Sequence, residues 1–132
     1  MDKIGQFPVN GEEARKTGTF YKVTSDQALR VVTGKKTPGL LKFFISNDVV
    51  NVGEVILPSG GIGPRQTEYD VHDGDAVFYV KNGPITFFFK ETKEVFYVEK
   101  DEFAFIPKGN EYKMINYGSD VAKAVFIVAP GL

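Results

Sequence analysis

The sequence predicts an all-β protein, an antiparallel sandwich or small barrel, on three observations. Short β-prone runs recur at regular spacing between turn-forming residues along most of the 132-residue chain. Twelve Phe and six Tyr, with no Trp, concentrate on those runs, as expected of a core filled by rings on strands. No segment sustains helical periodicity, which sets an α/β arrangement aside.

The elements follow in order. Residues 1–18 are polar and broken by Pro8 and Gly11, with one short helical possibility at Glu12–Lys16; they read as an arm preceding a single barrel domain at 19–132. TFYKVT (19–24) alternates and predicts a strand, and SDQALR (25–30) a helical turn capped by Ser25 or Thr24. Strands are expected at 30–32, 40–46 and 49–57, after which PSGG (58–61) is strong turn chemistry. Further strands are expected at 65–72, 75–82, 85–90, 94–99, 102–106, 111–116 and 121–129, joined by HDGD, NGP, ETKE, PKGN and YGSD.

Composition narrows the function. The chain has the size of one domain with a real core. A formal net charge of −1, and no basic run longer than Lys35-Lys36, argue against nucleic acid as a partner. The absence of cysteine removes disulfides, thiolate metal sites and cysteine nucleophiles together. No window reaches the length of a membrane span, and the first residues lack the apolar core of a signal peptide, so a soluble, cytoplasmic protein is expected, with no membrane partner.

The chemistry gathers in PSGGIGPRQTEYDVHDGDAVFYVKNG (58–83). It holds the only histidine, His72, among Asp70, Asp73 and Asp75. On a strand through 65–72, Gln66, Glu68, Asp70 and His72 share one face. Carboxylates buried at that spacing must be paired, hydrogen-bonded, protonated or metal-bound. A second stretch, EKDEFAFIPKGNEYKMINYG (99–118), is expected to face the first across the barrel, bringing the Tyr112 hydroxyl to Asp70 and His72. Phe78, Phe87, Phe89, Phe103 and Phe105 are candidates either for lining a pocket or for filling the core.

The order of these residues resembles the cupin superfamily, the small jelly-roll β-barrels that include the RmlC-like proteins. Gly83 matches the last glycine of that family's first motif, whose two histidine positions fall on Asp70 and His72 and whose acidic position falls on Ala76. In the second motif Pro107, Gly109 and Asn116 match, Tyr112 stands where histidine belongs, and Asp101 replaces the first glycine. LPSGG, the FYV strand and IPKGNEYKMIN also resemble the cupin domain of the centromere protein C family, a homodimerisation module without the standard metal set.

The resemblance implies an antiparallel jelly-roll barrel, paired as a homodimer through the arm and the run at 19–24 so that sheet edges are covered. Three functions follow. The first is binding of a small polar ligand, a carboxylate or sugar derivative, by Gln66, Glu68, Asp70, His72, Phe78 and Tyr112. The second is an enzyme. It would be a metal-dependent oxygenase, isomerase or lyase with Fe, Mn or Zn on Asp70 and His72, or a metal-free isomerase with His72 as base and Tyr112 as acid. The third is a dimerisation module with a closed core.

Overall fold

The computed structural model describes residues 2–4, 7, 9–33, 39–63 and 69–132. Its described strands are β1 (Asp2–Ile4), β2 (Leu29–Thr33), β3 (Gly39–Ser46), β4 (Asn51–Leu57), β5 (Ile62–Gly63), β6 (Asp75–Asn82), β7 (Ile85–Phe89), β8 (Val95–Val98), β9 (Phe103–Ile106), β10 (Tyr112–Ile115) and β11 (Ala122–Ala129). They form two antiparallel sheets. The larger runs β1-β2-β3-β4-β11-β6-β9 and the smaller β5-β10-β7-β8. The long jump from β4 to β11 and on to β6 is the crossover expected of a jelly roll. No helix among the described residues is long and apolar enough to cross a membrane.

Alternation builds the core. Ala76, Phe78 and Val80 of β6, Ala122, Ala124, Phe126 and Val128 of β11, and Val55 and Leu57 of β4 all turn inward. They meet Ile85 and Phe87 of β7 and Tyr112 and Met114 of β10 from the smaller sheet. One cross-strand row decides the shape of the interior: Phe43 pairs with Gly53, Gly53 with Phe126, Phe126 with Phe78, and Phe78 with Ala104. A Cβ on Gly53 would stand 2.4 Å from the Phe126 ring and 2.4 Å from the Lys42 carbonyl. That missing side chain lets Phe126 lie flat on the sheet between Phe43 and Phe78, with ring centroids 5.7 and 6.1 Å away.

The single α-helix among the described residues, α1 (Gly11–Thr17), is set by its ends. Asn10 Oδ1 accepts from the Glu13 amide at 3.1 Å, acids occupy the first turn and bases the last, and Gly18 closes it at φ 68°. Ser25–Gln27 is a 3-10 turn in which the Gln27 side chain reaches back to the Thr24 amide at 2.8 Å.

Two expectations are corrected. Residues 19–24 form no regular strand, and Phe20 is 98% exposed. Alternation there has no neighbouring strand within the chain to pair with. Phe103 and Phe105 do not line a pocket: they are 68% and 56% exposed. Residues 104 and 106 take the inward positions of β9, fixed by pairing Ala104 with Phe78, so both rings point outward.

Candidate functional site

The site grows from how the segment at 70–72 is tied to the turn before β10. Asp70 and Tyr112 exchange both backbone hydrogen bonds, Asp70 N–H to Tyr112 O at 2.8 Å and Tyr112 N–H to Asp70 O at 2.9 Å. Such a pair places the two side chains on one face. Gly109, held at φ 81° in the turn after Pro107, donates its N–H to His72 O at 3.1 Å. The expected strand at 65–72 therefore reduces, in its described part, to one isolated bridge at Asp70. Residues 70–72 and 109–112 are thus hydrogen-bonded neighbours, whereas β6 and β10 of the same two stretches lie in different sheets, with the Phe78 and Tyr112 ring centroids 5.6 Å apart across the core.

This places three polar side chains together. His72 Nε2 lies 2.6 Å from Tyr112 Oη and 3.7 Å from Asp70 Oδ2, with the Asp70 and His72 side chains 17% and 11% exposed. Asp70 Oδ1 also accepts from the Val71 amide at 3.0 Å. Burial pulls the imidazole of His72 below its ordinary value of 6.5, against an upward pull from the negative charges of Asp70 and Asp73. Burial, then the charge of Asp70 and its hydrogen bond, hold the Tyr112 phenol well above its ordinary value of 10.0. At neutral pH the pair is a neutral imidazole and a neutral phenol. Asp73 and Asp75 are exposed, and Asp75 Oδ1 serves the backbone by accepting from the Lys108 amide at 2.9 Å.

These groups sit at the polar end of a cavity of about 230 Å³. Behind them the wall is hydrocarbon: Leu41, Phe43, Val55, Phe78, Met114 and Phe126, with Val71 and Leu132 at the exposed rim. Phe78, Asp70, His72 and Tyr112 are thus brought together as expected residues of one pocket. Gln66 and Glu68 lie outside the described residues. Phe87 is buried against Phe78 and Phe89 packs on Phe96, so neither lines the cavity. Sequence reasoning missed Phe43 and Phe126. The signal that points to them is Gly53, a glycine inside an apolar strand, which marks a close approach from across the sheet.

Among the described residues the donor set does not fit the metal that the resemblance implies. Among the described residues no three of His, Asp or Glu converge. Ala76, at the acidic position of the motif, is a fully buried methyl, and Tyr112 is a protonated phenol, not a phenolate that could ligate. Among the described residues, Asp70 and His72 alone do not make the four-ligand set.

No protein-family model and no curated protein matches the chain. Solved structures do match. An RmlC-like cupin from Shewanella frigidimarina is 11% identical, with 85% of this chain and 92% of that one aligned at a TM-score of 0.66. A cupin domain from Bordetella pertussis is 24% identical over 73% of this chain and 98% of that one, with a TM-score of 0.59. The cupin domain of Schizosaccharomyces pombe Cnp3 is 23% identical over 68% of this chain and 61% of that one, at 0.58.

Proposed function

Because this chain has the cupin fold, we propose that it is a binding barrel whose cavity holds a small molecule by an apolar body and one polar head. The observation that carries this reading is the segregation of the lining. Among the described lining residues the polar side chains, Asp70, His72 and Tyr112, are at one end, and the remaining wall is aliphatic or aromatic. An apolar cavity of roughly 150 Å³ holds a benzene ring. At about 230 Å³ this one has room for a ring or branched chain with a short substituent. The sugar derivative expected from sequence suits it poorly, since a polyol needs polar partners all round. A core closed by phenylalanine suits it no better, because the cross-strand row of rings leaves the space open.

The test is titration of benzyl alcohol into the untagged protein, followed by NMR. Saturable shifts of the His72 ring and of the Leu41, Val55 and Met114 methyls are expected, without change elsewhere. Absence of any shift at millimolar concentration would end the binding reading.

The contact of 2.6 Å between His72 and Tyr112 supports a second reading, metal-free proton transfer, in which the imidazole takes a proton beside a carbonyl and the phenol steadies the oxygen. Its mark would be deuterium uptake at the α-carbon of a bound ketone, lost in His72→Gln.

A further inference from the structure

We propose that the outward face of β3-β4-β11-β6-β9 is the surface on which a second copy of this chain docks, whatever the cavity binds. One cross-strand row carries the proposal. Ile45 pairs with Val52, Val52 with Ile127, Ile127 with Val77, and Val77 with Phe105. These five side chains point away from the core; Ile127 is 42% exposed, Phe105 56%, and the other three are half-buried. An antiparallel sheet with one face in water carries polar groups on that face. Here the next row, from Phe43 through Phe126 to Ala104, already forms the apolar inner face, so at this height the sheet is apolar on both sides. The sheet edge agrees. Among the described strands β9 ends the larger sheet, and it reads FAFI, without the lysine, proline or other charge that guards an exposed edge.

The occupant is a second copy because the face is its own complement. The row is centred on β11, and a twofold axis along β11 lays β9 of one copy over β3 of the other and β6 over β4. Phe105 then meets Ile45 of the second copy, Val77 meets Val52, and Ile127 meets the same residue across the axis. The neighbouring row runs Lys42, Glu54, Val125, Tyr79, Phe103 and obeys the same axis. Its charged end falls on the aromatic end of the second copy, with Lys42 over the Phe103 ring and Glu54 over Tyr79, so no charge faces its own sign. The area is also of the right order. Strands ~4.8 Å apart, with a rise of ~3.3 Å per residue, give these five a flat area of about 550 Å². The rings of Phe103 and Phe105 stand off that plane and bring it toward the ~800 Å² per partner of a standard interface.

This assigns pairing to a sheet face, in place of the arm and the run at 19–24. The experiment is sedimentation equilibrium of the full chain. A mass of two chains is expected at micromolar concentration, and a monomer that persists at hundredfold higher concentration would overturn the proposal. Ile127→Lys sets two like charges against each other across the axis, and Phe105→Asp sets a carboxylate against Ile45. Each should weaken the dimer at least tenfold. Tyr97→Asp, at a residue 62% exposed on β8 of the smaller sheet, should leave it unchanged. A dimer unmoved by both Ile127→Lys and Phe105→Asp, or weakened as much by Tyr97→Asp, would overturn the assignment of the surface.

Both variants alter side chains outside the core, so each should keep the amide spectrum of the folded chain. A second measurement needs no substitution. In a mixture of ¹³C-labelled and unlabelled chains, NOEs between copies should join the Phe105 ring to the Ile45 methyls and the Val77 methyls to those of Val52. Contacts between copies that arise instead from residues 19–24 or from β8 would overturn the proposal.

Discussion

Tyr112 and Asn116 lie four residues apart, at the start and just past the end of β10, and each is 1% exposed. They solve the problem of a buried polar group in different ways. Asn116 gives everything to the backbone: Nδ2 donates to Leu57 O at 3.0 Å and to Asp120 O at 2.8 Å, and Oδ1 accepts from the Gly118 amide at 2.9 Å. Tyr112 places its hydroxyl 2.6 Å from a titratable side chain, His72, beside the charge of Asp70 at the edge of a cavity. The first arrangement pins three chain segments and has nothing left for a ligand. The second holds its groups in place at the edge of open space. A family motif that spans both positions therefore mixes scaffold with chemistry, and the partners of each side chain tell them apart.

That contrast breaks most readily at Asn116. Asn116→Ala removes three hydrogen bonds, one buried and two part-buried, at about 1 kcal/mol each net, so a loss of about 3 kcal/mol in urea denaturation is expected. Affinity for benzyl alcohol should be unchanged wherever the variant remains folded. Gly53→Ala comes next. Its methyl meets both the Lys42 carbonyl and the Phe126 ring at 2.4 Å, and overpacking of this kind costs about 1–3 kcal/mol. Here stability and probe binding should fall together, because the displaced ring moves into the cavity.

Tyr112→Phe is the gentler counterpart. Losing the hydroxyl should cost about 1 kcal/mol of stability, while probe binding weakens several-fold, the reverse balance from Asn116. The smallest effect is that of pH. His72 has its folded value below 6.5, so its contribution to stability is complete above that pH and is lost as pH falls through the lowered value. Tyr112 has its folded value raised, so its contribution is complete below 10.0 and is lost as pH rises beyond it. Urea midpoints across pH should show both limbs; His72→Gln should flatten the acid limb and Tyr112→Phe the alkaline one.

Much of the architecture was legible because local signals and packing agree. The β6 bounds, 75–82, follow from alternation between an Asp-Gly turn and Gly83-Pro84, and β11 follows from an uninterrupted apolar alternation. At 19–24 the same alternation misled, since periodicity says that a strand is possible and not that a neighbour exists to pair with it. Phe103 and Phe105 misled differently. Their alternation with Ala104 and Ile106 is plain, but which set faces inward is decided by the register against β6, which composition alone does not report. The meeting of Asp70, His72 and Tyr112 was legible through the motif positions. The hydrocarbon wall behind them was not, because Phe43 and Phe126 are joined to the site only through Gly53 on a third strand.

The bond from the Gly109 amide to the His72 carbonyl has a consequence for how this barrel can diversify. Together with the Asp70–Tyr112 pair it makes residues 109–112 a ruler that sets the height of the imidazole over the cavity floor. Inserting one residue in that turn would offset the imidazole from the phenol by about one strand step, ~3.3 Å, without touching a single rung of either sheet. Turn length, more than the identity of the strand residues, is where a barrel of this kind can trade one chemistry for another.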